Sequence, residues 1–313
     1  MSRQEPTFKW GYAIFVLLLL GILGFIAVGI ISLFVGVDVE SLSGNVALIP
    51  IDGVIVGDKD SDFLFESVTS SPEAVELIEK ANKNPNIKAI ILEINSPGGS
   101  AVASEEIANA IRKTNKTTVA WIREAGASGA YWVASATDYV VANRASITGS
   151  IGVIASYLEF PGLLDKYNVT YRRLVSGKYK DIGSPFKEMT DEEKTIFQQS
   201  LDDIRDYFVS EVAKNRNLNK KDVDKIANGL FYLGAQAKDI GLVDELGGKD
   251  EVISYIEKKE GIRADIVKYK KDKTLFDILS EVLSKQSFFV GKGIGSSIFE
   301  KTLTASPLRF FYQ

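Results

Sequence analysis

The sequence contains no histidine and no cysteine among its 313 residues. That excludes a Ser-His-Asp triad, a cysteine nucleophile, an imidazole base and any disulfide. Zinc sites of the usual Cys/His kind are excluded as well, and no metal or other cofactor is expected. A hydrolase of this composition must take its base from Lys, Asp, Glu, Tyr or a terminal amine. Proline is scarce, with 8 residues against 26 glycines, and a quarter of the chain is charged. Those proportions belong to a globular protein, not to a disordered or collagen-like one. The formal charge of −4 supplies no basic field, so no nucleic-acid partner is expected. A chain without Cys fits either redox compartment.

One long stretch lacks charge altogether. Trp10 to Val37 reads WGYAIFVLLLLGILGFIAVGIISLFVGV. A spanning helix needs about 20 apolar residues. A cleaved signal peptide has a shorter apolar core, about 7–15 residues, and a small-residue cleavage site. The reading is therefore an uncleaved transmembrane signal anchor over residues 10–37. Arg3 and Lys9 precede it, and Asp38 and Glu40 follow it. The positive-inside rule then puts residues 1–9 in the cytoplasm and residues 38–313 outside, a single-pass protein of the cell membrane.

Beyond the anchor, strand and helix patterns alternate, which defines an α/β protein. Val46–Ile51 reads as a strand, Asp52-Gly53 as a turn, and Val54–Val56 as its continuation. Ser71-Pro72-Glu73 opens a helix with Ser71 as cap. Lys88–Ile94 is a buried strand, and Asn95–Ser100 (NSPGGS) a tight loop before a helix. Thr117–Ile122 is a strand, followed by a small-residue turn and a helix from about Ser128. Further strands are expected at 139–142, 152–158 and 169–175. Thr190 and Glu193 form a capping box for a helix to about Asn215. Residues 263–313 hold 9 Lys/Arg against 5 Asp/Glu and read as a final strand, a helix and a tail. The main domain is expected over 38–262.

Three segments hold candidate chemistry. The Pro-Gly-Gly of NSPGGS suits an anion-binding turn, and equally a plain strand-to-helix connection. In Ala125-Gly-Ala-Ser-Gly-Ala130, tiny residues surround one hydroxyl, so Ser128 is a nucleophile open to a substrate backbone or simply a helix cap. Each turn can lend a backbone N–H to one oxyanion hole. Without histidine, lysine is the usual base for a serine. Ser176-Gly-Lys-Tyr-Lys-Asp-Ile-Gly-Ser-Pro185 offers Lys178 and Lys180, and spacing does not choose between them.

In this order, NSPGGS, AGASGAYWVASATDYVVANRASITGSIGV and SGKYKDIGSP resemble the signal peptide peptidase A family of membrane-anchored serine peptidases. Gly234–Gly248 (GAQAKDIGLVDELGG) resembles that family's closing motif, so the resemblance covers roughly residues 45–260. It implies a crotonase/Clp protease-like fold of repeated ββα units. It implies Ser128 as nucleophile, Lys180 as general base, Ser150 as the hydroxyl that orients the base, and Gly99 and Gly129 as oxyanion donors. It further implies hydrolysis of hydrophobic peptides, remnant signal peptides above all, and a homo-oligomeric ring in which one chain's Ser128 meets a neighbour's Lys180; a pair within one chain is the alternative that the sequence leaves open. The sequence departs from the family at Leu230 and Leu233, where a Gly-Arg step and a Thr are common. The competing readings are an acyl-CoA enzyme on the same fold and a silent membrane-anchored scaffold. Retention of Ser128, Lys180 and Ser150 together argues against both.

Overall fold

The computed structural model describes residues 14–25, 44–58 and 67–270. It divides into two units, one of residues 1–39 with 271–313 and one of Glu40–Lys270. In the first unit, residues 14–25 form a helix, α1, with mostly exposed apolar side chains. No helix among the described residues is long and apolar enough to cross a membrane. The rest of the expected 10–37 span lies outside the described residues, as does the C-terminal helix and tail expected beyond residue 270.

The second unit is α/β, built on a mostly parallel nine-stranded sheet. Its centre is β1 (Val46–Val56), β3 (Ala89–Gly99) and β4 (Thr117–Ala127), joined by α2 (Ser71–Lys83) and α3 (Ala101–Arg112). Residues 89–92 and Ile94 carry their apolar side chains to both faces, as a parallel sheet covered on two sides requires. Ile49, Ile90, Leu92 and Ile122 pack under α2, α3 and α4 (Gly129–Ser135). On the other face Leu48, Ile91 and Val119 pack with Val252 and Ile256 of α9 (Lys249–Glu260). Each such side chain withdrawn from water contributes about 1.5–3 kcal/mol before the entropy of ordering is charged against it.

The central strands change partners midway. β4 pairs through Val119–Ile122 with β5 (Tyr139–Ala142), and through Ala125–Ala127 with β6 (Ile147–Gly149). β1 pairs at its start with β9 (Ile266–Lys268) and at its end with β2 (Val68–Ser70). Register shifts between Asp52 and Val54, and between Ile94 and Ser96, mark the same level in β1 and β3. Gly53, at φ +69°, lets β1 bend there, and a side chain at that position would strike the Ser67 backbone. β7 (Phe231–Leu233) adds an antiparallel edge to β6, and β8 (Glu245–Leu246) pairs with β5.

Several local expectations change. Asn95–Gly99 is no loop: β3 runs extended to Gly99, because Val54 and Ile55 pair with Gly98 and Gly99. Ser70, not Ser71, is the cap residue of α2, and the Ser71 hydroxyl instead donates to Glu106. The strands expected at 152–158 and 169–175 do not form. A strand needs a partner for its N–H and C=O groups, and no described strand pairs with either segment. Their apolar side chains stand in the open, with Ile154 87% and Leu174 98% exposed. Between them lies only the short α5 (Pro161–Lys166). The capping box of Thr190 and Glu193 opens α6 (Asp191–Asn215) as expected.

A buried ion pair ties α6 to the sheet beneath α4. Arg216 Nη2 donates to Asp244 Oδ1 at 2.6 Å with the arginine side chain 6% exposed, and Val140 N donates to Asp244 Oδ2 at 2.7 Å. Removing one partner strands the other in low dielectric, at a cost of about 3–5 kcal/mol. Asp244→Ala should therefore lower the unfolding free energy in urea by about 3 kcal/mol. Arg216→Met should cost less, because the Asp244 carboxylate it leaves behind is 29% exposed and still accepts from Val140 N. Equal losses would mean that the pair's packing matters, not its charge.

Candidate active site

The bend in the central strands brings two predicted segments together. Gly98, at φ +104°, lies so close to the second segment that a β-carbon there would be 2.8 Å from Ala127 O and Gly129 N and 2.9 Å from Ser128 Cβ. Gly129 lies equally close to the first, since a β-carbon on it would be 3.3 Å from Gly99 N and would collide with Ser104 Oγ. The ladder bond to Ile55 O is donated by Ser100 N at 2.8 Å. By the alternation of a strand, the Gly99 N–H points away from β1. Ser104 Oγ, which donates to Ser100 O at 2.8 Å, closes this corner.

Ser128 sits at the junction of β4 and α4 with φ 53° and ψ −126°. For a residue with a β-carbon this is a strained conformation, costing about 1–3 kcal/mol. The backbone around it is fully engaged: Ser128 N donates to Gly149 O at 2.8 Å, and Trp132 N donates to Ser128 O at 3.0 Å. Its side chain makes no capping bond to α4. The Ser128 hydroxyl thus does not cap α4. α4 is rigid, with every residue buried, Tyr131 Oη donating to Leu242 O at 2.8 Å, and Trp132 stacked on Phe208 at 4.7 Å.

Ser150 follows directly on the Gly149 that accepts from Ser128 N. It too has positive φ, at 50°. Its N–H donates to Leu230 O at 3.0 Å and its hydroxyl to Gly229 O at 3.2 Å. Sequence reasoning missed these contacts. Gly229 and Leu230, just before the closing motif, brace Ser150 through main-chain carbonyls, a contact that does not depend on the side chain at 230. A serine oxygen that donates once still has lone pairs with which to accept.

The two lysines differ sharply. Lys178 Nζ donates to both Glu192 oxygens at 2.7 and 2.8 Å and lies over the Tyr179 ring. The bond to Glu192, then that to Tyr179, holds its pKa above the ordinary lysine value. Lys180 is exposed, and among the described residues its ammonium makes no hydrogen bond or ion pair. No hydrogen bond joins Lys180 to Ser128 or Ser150. The chain thus brings Ser128, Gly99, Gly129 and Ser150 together and holds Lys180 on a separate surface turn. No group of three or more Asp and Glu suited to a metal ion occurs among the described residues.

Asp181, beside Lys180, is held well below the usual carboxylate range, at about 2, by the hydrogen bond from Arg173 and then by the nearby charges of Arg173 and Lys187. A pKa lowered by folding stabilises the fold above the unfolded value near 4, and that stabilisation fades as pH falls toward 2.

Comparison with known proteins defines the class of this protein: it is a serine peptidase. The profile of peptidase family S49 matches residues 110–263. A protein of Methanocaldococcus jannaschii named as a protease is 36% identical over 231 residues, 72% of each chain. An Enterococcus faecium protein named as signal peptide peptidase SppA is 32% identical over 236 residues, 74% of this chain and 69% of that one. The chain belongs to peptidase family S49 and is similar to its signal peptide peptidases. Among solved structures, a membrane-bound stomatin-specific protease with a substrate peptide aligns at TM-score 0.48 and 14% identity, over 78% of this chain and 99% of that one.

Proposed function

We propose that this peptidase cleaves hydrophobic peptides, remnant signal peptides among them, with Ser128 as nucleophile and Lys180 as general base. The observation that carries this reading is Ser128 itself. It is strained, spared from capping, and set against the Gly98-Gly99 backbone. In the proposed reaction, neutral Lys180 takes the proton from Ser128 Oγ as that oxygen attacks the peptide carbonyl. The N–H groups of Gly99 and Gly129, adjacent across the corner, steady the oxyanion. The lysine then protonates the leaving amine, and later activates the water that releases the acyl group. Ser150 accepts from the ammonium and orients it. The crotonase-like repeat belongs to the same reading.

Lys180 comes from a neighbouring copy in a closed homo-oligomeric ring. A lysine base needs apolar cover to lose its proton. On a single chain Lys180 is exposed, in a stretch of chain that also leaves Ile154, Leu158, Leu174 and Val175 exposed. Exposed apolar side chains in such number suit an interface. An anchor over residues 10–37 holds the domain on the extracytoplasmic side of the membrane, where apolar peptides collect.

The test is mixing. Ser128→Ala and Lys180→Ala proteins, each inactive alone on a fluorogenic apolar peptide, are dissociated and reassembled in equal amounts. With shared sites and random assembly, about a quarter of wild-type activity returns. With the pair inside one chain, every site keeps one lesion and the mixture stays dead.

A further inference from the structure

The segment that presents Lys180 has no regular structure, yet it is tied down by charge at one point. Arg173 donates to Asp181 as a fork, from Nη2 to Oδ1 at 2.8 Å and from Nε to Oδ2. The same Nη2 donates to Lys178 O at 3.2 Å, so one guanidinium grips the turn on both sides of Lys180. Lys187 Nζ lies 3.6 Å from Asp181 Oδ1 and also donates to Glu193 Oε1. Glu193 is the carboxylate of the capping box that opens α6, accepting from Thr190 N at 2.9 Å. Within the turn, Lys180 N donates to Gly177 O at 3.2 Å and Ser184 N to Asp181 O at 3.0 Å. The two carboxylate side chains are covered, Asp181 11% and Glu193 5% exposed, while Lys180 next to them is open. Chains of this kind between a loop and a helix end are worth more than isolated surface pairs, because each member is already held by its neighbours. The Lys178 ammonium, by contrast, has one ion-pair partner among the described residues, the half-exposed Glu192.

We propose that Asp181 is a positioning residue for Lys180: through the Arg173 fork and Lys187 it anchors the turn to the start of α6, and so fixes where the neighbouring lysine points. The inference rests on Lys180 being the base. A base misplaced by about 1 Å costs on the order of 10²-fold in rate, whereas substrate binding, made elsewhere, is untouched. The charged fork matters here, since a neutral amide at 181 keeps the shape but loses the charge-assisted bonds.

The full-length chain in detergent is assayed on the fluorogenic apolar peptide as wild type, Asp181→Asn, Arg173→Gln, Arg173→Lys and the Asp181→Asn/Arg173→Gln double variant. Lys180→Ala is run in parallel. The expected result is a fall in kcat of tenfold or more for Asp181→Asn and for Arg173→Gln, with KM within twofold. The double variant is no worse than either single, because the two act as one unit. Arg173→Lys, which keeps the charge but not the fork, recovers part of the loss. It also carries the test should Asp181→Asn fail to fold, by showing a severalfold fall in kcat at unchanged KM. Retention of more than half of kcat in Asp181→Asn, or a change in KM alone, overturns the proposal. If that happens while Lys180→Ala is dead, only the positioning role falls. If Lys180→Ala is itself active, the base assignment falls and takes this inference with it.

Discussion

On the proposed dyad, Ser128→Ala is expected to reduce peptide hydrolysis to background, and Lys180→Ala to lower kcat by about 10²–10⁴-fold, the usual contribution of a positioned general base. Lys178→Met is expected to stay within about twofold of wild type. The contrast comes from the partners of the two lysines. Lys178 is engaged with Glu192 and Tyr179, and both raise its pKa, so it is held as an ammonium with no lone pair to accept a proton. Lys180 has no such partner among the described residues. Lys178 and Glu192 form an exposed ion pair, and breaking such a pair changes stability little. The same assay reads pH. A base that works only when neutral makes the rate rise toward alkaline pH, so a profile flat from pH 6 upward would count against lysine. Steady-state kinetics on the four proteins, with circular dichroism to confirm folding, checks all of this. An essential Lys178 beside a dispensable Lys180 would move the base by two residues.

Methylating the glycine corner separates catalysis from folding. In Gly98→Ala the new β-carbon meets Ala127 O, Gly129 N and Ser128 Cβ at 2.8–2.9 Å, in a backbone conformation that alanine avoids. The backbone on both sides of Ser128 must yield, and Ser128 with it, so kcat/KM is expected to fall by about 10²-fold while most of the fold survives. Gly99→Ala is harsher, because its β-carbon falls inside the Ile55 backbone. There the end of the β1–β3 ladder must part, and both activity and thermal stability drop. Gly57→Ala is the control, with no heavy atom within 4 Å of the added carbon, and stays near wild type. Thermal melts and kcat/KM of the three variants decide the matter. Normal activity in Gly98→Ala would show that Ser128 tolerates displacement and that the corner is not part of the site.

Much of this was legible along the chain. The α/β alternation follows from apolar runs such as Ala89–Ile94, which suit a strand covered on both faces whatever surrounds them. The capping box of α6 is a contact within four residues, so it was readable in full. The Ser128 segment was readable as a nucleophile or a cap because its small neighbours allow both. Whether the hydroxyl caps its helix is set by φ, ψ and its partners, which depend on β6 and on Gly98, far away in sequence. NSPGGS read as a turn because Pro and two Gly usually break strands. It is extended because β1 supplies the ladder partners, and a pairing between residues 54 and 98 leaves no local mark.

The segments 152–158 and 169–175 show the opposite failure. Their alternation has the period of strands, yet hydrogen-bonding partners are absent among the described strands, and the apolar side chains remain exposed. The sequence by itself determined the residue types: no imidazole, no thiol, a serine among glycines and a pair of lysines. The tertiary structure decided which groups are free to react. It strained Ser128 and set Gly99 N beside Gly129. It tied Lys178 to Glu192, left Lys180 without an ion-pair partner among the described residues, and paired its neighbour Asp181 with Arg173 and Lys187. Residue identity is carried by the local chain, but freedom to react depends on what every distant neighbour has already bonded.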